Sequence, residues 1–162
     1  MNEEKQEMIE MFGIHFEQQY NIAPLAARIL GTLIIDGCKS GLTFEDLVLK
    51  MQASKSSIST NLNLLQKMDL INYFTVSGDR KKYFKAAPLS ERLKRYLSLV
   101  DSEKILVEKI IDFREKNCSC PQENINLLNS YAYKEHILKV EELLNHSINK
   151  FKQIEIQNQQ IK

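Results

Sequence analysis

A chain of 162 residues, 43% hydrophobic and 27% charged, is long enough for one well-buried domain or a small domain with helical extensions, and too short for a large multidomain enzyme. Five Gly and three Pro leave little chain for loops, so helix should dominate. The net charge of +1 excludes a uniformly basic polyanion binder, yet it hides an uneven distribution: residues 1–20 sum to −4, 21–49 to −1, 50–87 to +5 and 88–162 to +1.

In residues 3–20, Ile9, Phe12, Phe16 and Tyr20 recur at helical spacing beside Met8, predicting an amphipathic helix with one aromatic face. "NIAPLAARILGTLIIDGCKSG" predicts a second helix with Pro24 in its first turn, a buried stripe of Leu25, Ile29, Leu33 and Ile34, and stop signals at Gly37 and Gly41. Arg28 and Asp36 interrupt this apolar stretch, which falls short of the roughly 20 residues a membrane span needs. The acidic start "MNEEKQEMIE" lacks the basic head of a secretory signal, so a cytoplasmic location is expected, with Cys38, Cys118 and Cys120 as reduced thiols.

Thr43 followed by Asp46 approximates a capping box ahead of Leu47, Val48 and Met51, predicting a short third helix. Only a tight turn fits between Met51 and Ser56, which is helix-turn-helix spacing. The next helix, 55–69, begins with small polar residues of poor helix propensity. On a wheel, Ile58, Leu62 and Leu65 form its inward edge, while Ser56, Thr60, Asn63 and Lys67 gather opposite, flanked by Ser57 and Ser59, with Ser54 as N-cap and Lys55 in the first turn. A solvated face would favour Glu, Lys, Gln and Ala. Short hydrogen-bonding side chains instead suit entry into a DNA major groove, and the unpaired N–H groups beside Ser54 suit a phosphate.

"INYFTVSGDRKKYFKAAP" changes to an alternating pattern with a Gly-Asp turn, predicting a β-hairpin whose tip, 77–83, carries Arg80, Lys81 and Lys82. Arg80 suits insertion into a minor groove, with Lys81, Lys82 and Lys85 on phosphates. From Leu89 the helical period returns through Leu93, Leu97, Val100, Leu106, Ile110 and Phe113. A last helix after Pro121 carries Leu128, Tyr131, Ile137, Val140, Leu144, Ile148 and Phe151, and its end "QIEIQNQQIK" is expected to fray. The expected fold is mainly α with a small β-wing: a winged helix-turn-helix domain at 23–88, flanked by an N-terminal dimerisation helix at 1–22 and a C-terminal helical dimerisation region at 89–162. The flanking apolar faces are too long for the small domain to cover, and pairing them across a two-fold axis would bury them and space two recognition helices about 34 Å apart.

The segment "LTFEDLVLKMQASKSSISTNLNLLQKMDLINYFTVSGDRKKYFKA" resembles the winged helix of MarR-type bacterial transcriptional regulators, and is especially similar to their GbsR-like branch, in which a Gly-acid-Arg-basic wing precedes an aromatic strand. The resemblance covers about 65 residues closely and the flanking helices in pattern. It implies a homodimeric repressor or activator on a double-stranded DNA operator, with Ser56, Ser57 and Thr60 at the groove-reading start and Arg80 as the wing arginine. It also implies a small-molecule effector, choline-like osmolytes in the best-known members.

Phe12, Phe16, Tyr96, Phe113 and Tyr131, with Tyr133, are candidates for lining an effector pocket through cation–π contacts. Core packing is the competing reading for each. "NCSCP" offers two thiols without the further ligands of a zinc site, so no metal or cofactor is expected. A thiol- or metal-responsive regulator using Cys118 and Cys120 stays as an alternative, as does a winged-helix protein–protein interaction module without sequence-specific DNA binding. There is no phosphate-binding Gly loop, HExxH or nucleophile elbow, and enzymatic activity is not expected.

Overall fold

The computed structural model describes residues 3–160 and divides into two compact units, Met1–Ala87 and Pro88–Lys162. The outermost residues of the expected terminal helices, 1–2 and 161–162, lie outside the described residues.

The first unit starts with α1 (Glu3–Tyr20) and α2 (Pro24–Ile35). Helix α2 buries Ala26, Ala27, Ile29, Leu30 and Leu33, more than one face of the helix, so it needs neighbours on several sides. One of them is α1. Ile9 and Phe16 are buried, and Phe12, Phe16 and Tyr20 stack in series at 5.5 and 5.7 Å. The two helices approach closely at Gly31, where a Cβ would lie 3.1 Å from the Ile9 carbonyl oxygen and from Phe12 Cβ. Arg28 of α2 pairs with Glu10 of α1 at 2.8 Å, and Asp36 receives Lys5 and, at 2.8 Å, Lys50. The aromatic face of α1, read from the sequence as too long for the small domain to cover, is packed on α2. The physical reason is that α2 is apolar around much of its circumference and must itself be enclosed.

Helix α3 (Phe44–Met51) follows a two-residue strand β1 (Leu42–Thr43), and its capping box is complete: Asp46 N–H donates to Thr43 Oγ1 at 3.1 Å, and Thr43 N–H donates to the Asp46 carboxylate at 2.8 Å. Gln52, at φ 50°, ends the helix in a left-handed turn. Helix α4 (Lys55–Lys67) then buries Ile58, Leu62 and Leu65 among Leu47, Ile29 and Leu30. It stops two residues before the expected Asp69, because Asp69 adopts φ 55° and Leu70 N–H closes back on the Leu65 carbonyl at 3.0 Å, satisfying a helix-end acceptor.

Strands β2 (Ile71–Thr75) and β3 (Lys82–Ala86) form the expected hairpin, with Tyr73 opposite Phe84. A third strand was not expected: β1 pairs antiparallel with β3, Leu42 opposite Phe84, giving the order β1-β3-β2. Two residues carry no period to read. Gly41 makes the approach possible, at φ 74° and with Phe84 O 3.1 Å from where a Cβ would stand.

The second unit is a hairpin of α5 (Leu89–Asn117) and α6 (Pro121–Gln160), roughly 44 and 60 Å long at 1.5 Å per residue. It is antiparallel, as cross-helix bonds from Ser90 to Glu155, Lys104 to Glu141 and Arg114 to Asn126 require. Val107, Ile111 and Ile137 form its core, with Val100 and Leu127 against them. The expected stripe on α5 is corrected here: Leu106 and Phe113 are 65% and 63% exposed, and Val107 and Ile111, one and two residues away, are buried. Helix α5 has two apolar faces, and a period of three to four fits both. On α6, Ile137 and Ile148 are buried as expected, whereas Leu128 and Tyr131 face solvent. The N-terminus of α5 lacks a local cap; Glu155 supplies one from α6, accepting from Ser90 N–H at 3.1 Å and Ser90 Oγ at 2.6 Å.

Candidate nucleic-acid interface

Helix α4 turns one apolar edge inward and leaves Lys55, Ser56, Ser59, Thr60, Asn63 and Lys67 exposed. Ser54 is the N-cap: its Oγ accepts from Ser57 N–H at 3.1 Å and lies 3.0 and 2.8 Å from the hydroxyls of Ser56 and Ser57. The first turn is thus a cluster of three hydroxyls at a helix N-terminus, where dipole and N–H groups favour an anion. The outward residues are not equivalent. Thr60 Oγ1 donates back to the Ser56 carbonyl at 3.0 Å, and Ser57 is half-buried. Ser59, Asn63 and Lys67 stand further along the same exposed side. Asn61, not singled out from the sequence, donates to the Ser57 carbonyl at 2.8 Å and stiffens the first turn.

The wing follows from a turn in which Gly78 takes φ 82° and Asp79 N–H donates to the Val76 carbonyl at 3.0 Å. Asp79 then organises the tip. Its carboxylate accepts from Tyr83 Oη at 2.7 Å and from Lys81 N–H at 2.9 Å. The Tyr83 hydroxyl and then the Lys81 amide hold the Asp79 carboxyl below its ordinary pKa, and the same bond raises that of Tyr83. Arg80, between these anchors, is exposed. Lys82 Nζ sits 4.2 Å from the Tyr73 ring centroid, a cation held on an aromatic face. Lys85 is placed differently: its Nζ lies 5.2 Å from the Phe74 centroid and donates to the Lys39 carbonyl at 2.9 Å, tying the wing base to the turn between α2 and β1.

Asp79, Tyr83 and Tyr73 were missed as site residues. The signal was present in the alternation of "NYF" against "KYF" across a Gly-Asp turn, which sets rings and cations opposite one another. Within one unit, then, the chain carries a short-polar helix face and an ordered basic hairpin, able to offer neutral hydrogen-bonding groups and cations to a polyanion.

The residues expected at an effector pocket are divided between the two units, Phe12 and Phe16 in the first and Tyr96, Phe113 and Tyr131 in the second. Phe16 is core, with Phe12 stacked on it; Phe113 is exposed, and Tyr131 Oη donates to Glu115. Tyr96 is a partly exposed residue of α5. The helical hairpin has a cleft of about 320 Å3 elsewhere, bordered by Glu103, Val107, Ile110 and Tyr133. Cys118 Sγ lies 3.0 Å from Asn124 Oδ1 and Cys120 is exposed; among the described residues no three His, Cys, Asp or Glu side chains cluster as metal ligands. No described helix is long and apolar enough to cross a membrane.

No protein-family model matches the chain. The HTH-type transcriptional regulator MmpR5 of Mycobacterium tuberculosis is 34% identical over 82 residues, 51% of this chain and 48% of that protein. The chain thus spans about half the length of the curated relative it matches. Among solved structures, one described as a transcriptional regulator superposes with a TM-score of 0.60 at 24% identity, over 93% of this chain and 99% of that one, and shares its fold. The Staphylococcus aureus MepR–DNA complex aligns at 21% identity over 82% of this chain and 91% of that one, with a TM-score of 0.42.

Proposed function

We propose that the chain is a MarR-type transcriptional regulator of the GbsR-like branch, acting in the cytoplasm as a homodimer on a double-stranded DNA operator. Helix α4 enters the major groove, and the wing at 77–83 lies on the minor groove or backbone. Ser54 and Lys55 meet a phosphate at the helix start; Ser56, Ser57 and Thr60 read the groove, with Ser59, Asn63 and Lys67 along the same face; Arg80, Lys81 and Lys82 extend the contact. The observation that carries this reading is the outward short-polar face of α4 in the same compact unit as the Asp79-braced cationic wing. The name of the relative at 34% identity, an HTH-type transcriptional regulator, supports it.

Dimerisation is supported by the second unit, where Leu99, Leu106, Phe113, Leu128 and Leu143 are each more than 60% exposed. An apolar surface of that kind is covered in most soluble proteins. A small-molecule effector completes the proposal.

Selection of bound duplexes from a random pool, followed by titration over a range of salt, tests the function. A selected sequence with a steep negative slope of log affinity on log salt is expected. A salt-independent affinity, or one unchanged by Arg80→Ala combined with Lys82→Ala, refutes it.

A further inference from the structure

Several polar side chains of α4 are already engaged by the helix itself. Asn61 Nδ2 donates to the Ser57 carbonyl at 2.8 Å, and Thr60 Oγ1 donates to the Ser56 carbonyl at 3.0 Å. A hydroxyl carries one proton. With that proton spent on the preceding turn, Thr60 has none to give to guanine O6 or N7 or to thymine O4, and the part of this exposed residue left for a partner in the groove is carbon, its γ-methyl. The next turn continues the pattern. Helix α4 has four aliphatic side chains; Ile58, Leu62 and Leu65 are buried, whereas Leu64 is 38% exposed. Leu64 lies four residues beyond Thr60, about 40° around the helix, and helical side chains lean toward the N-terminus, so Leu64 reaches back over the Thr60 turn. The outward face is thus divided lengthwise: Ser56, Ser59, Asn63 and Lys67 present polar groups, and Thr60 with Leu64 presents an apolar edge beside them.

We propose that Thr60 and Leu64 are specificity-determining residues that read the 5-methyl group of a pyrimidine in the major groove, a role that rests on the regulator reading above. The methyl is the apolar feature on the major-groove edge of a base pair, so it is what an apolar strip of the recognition helix can select. Thymine always carries it, and cytosine carries it when methylated. Phosphates and the polar base edges are left to the neighbouring strip and to the wing. Enclosing one methyl against Thr60 and Leu64 corresponds to about fourfold in affinity per half-site, or roughly sixteenfold for a symmetrical operator bound by a dimer.

The full chain is titrated, at one salt concentration, with the duplex selected from the random pool and with copies in which each thymine in turn is replaced by deoxyuridine, or each cytosine by 5-methylcytosine, in both half-sites. Deoxyuridine differs from thymidine in the methyl alone. A loss of about fourfold per half-site at one or two thymines assigns the contact to thymine, and a gain of that size confined to 5-methylcytosine assigns it to methylated cytosine; either supports the proposal. Variants identify the protein side. Thr60→Val keeps the methyl and should keep the preference for the methylated base, whereas Thr60→Ser keeps the hydroxyl and should bind the two duplexes equally. Leu64→Gln should reduce the same preference. Each readout is a ratio within one variant, so a change in the folded fraction cancels. Wild-type affinity indifferent to the methyl at every position overturns the proposal. So does a preference that survives Thr60→Ser and vanishes in Thr60→Val, which would make the hydroxyl, accepting from an adenine or cytosine amino group, the reader. A chain that retains no duplex from the pool refutes the regulator reading and this role with it; an operator bound without regard to the methyl refutes this role alone.

Discussion

Lys82 and Tyr73 allow the charge and the platform of one wing contact to be removed separately. Lys82 Nζ lies 4.2 Å from the Tyr73 centroid, and Tyr73 faces Phe84 across the strand pair. Lys82→Ala deletes one cation per protomer; if that cation neutralises a phosphate, the slope of log affinity on log salt becomes shallower by about 0.9 per protomer, or roughly 1.8 for a dimer. Tyr73→Leu keeps the charge and an apolar contact with Phe84 but loses the aromatic face, an exposed cation–π contact worth about 0.5–1 kcal/mol. The lysine is then less ordered before binding, and affinity should fall about two- to fivefold per protomer, or roughly five- to thirtyfold for a dimer, with the slope unchanged. Fluorescence anisotropy of a labelled operator, titrated at a series of salt concentrations, reads both quantities. Two results refute the reasoning: an unchanged slope for Lys82→Ala, which would remove Lys82 from the phosphate contacts, or a slope change for Tyr73→Leu equal to that of Lys82→Ala.

Asp79→Asn should loosen the wing tip, because it weakens the charge-assisted bonds from Tyr83 and the Lys81 amide; faster hydrogen exchange at Lys81 and weaker operator binding are expected despite the gain in net positive charge. Asp46→Ala removes half of the α3 capping box and leaves the Thr43 N–H without its acceptor, at a cost of about 1–2 kcal/mol measurable as a lower urea midpoint. The Thr43 bonds hold the Asp46 carboxyl below the ordinary 3.8, and at Asp36 burial works upward but is outweighed by Lys5 and Lys50, so that carboxyl is also lowered. With folded values below the unfolded value, the stability these groups contribute is fully present above about pH 4 and is lost as pH falls through the folded values; urea midpoints across pH should show that acid limb, and Asp46→Ala should flatten it. Glu155→Ala uncaps α5, leaving the nearly buried Ser90 without its acceptor; a loss of about 1–2 kcal/mol and faster exchange at the Ser90 amide are expected.

Elements with a strong internal period were legible. Helices α1 and α2, the Ile58, Leu62 and Leu65 edge of α4 and the β2–β3 hairpin all follow from spacing and turn residues. What escaped depends on partners distant in sequence. Strand β1 is two residues long and exists because β3 offers it a ladder. Helix α5 shows apolar residues on two sides, and periodicity alone does not say which side an antiparallel neighbour will take; the choice of Val107 and Ile111 over Leu106 and Phe113 is made by Ile137 and Leu127 of α6. The Glu155 cap on Ser90 spans 65 residues and has no local signature.

The start of α4 shows how a sequence poor in helix formers can still specify a rigid helix. Ser54, Ser56, Ser57 and Thr60 each offer the backbone a competing partner, and together they should disfavour helix by a few tenths of a kcal/mol per residue. Here those same groups are enlisted in the helix: Ser54 caps it, while Thr60 and Asn61 bond to carbonyls one turn earlier. Burial of Ile58, Leu62 and Leu65, each worth about 1.5–3 kcal/mol when fully enclosed, outweighs the local deficit. The consequence reaches the surface. Because the inward edge fixes the helix, its outward face is free to carry residues chosen for shape and hydrogen bonding, and the face that propensity argues against is the one the proposed groove contact requires.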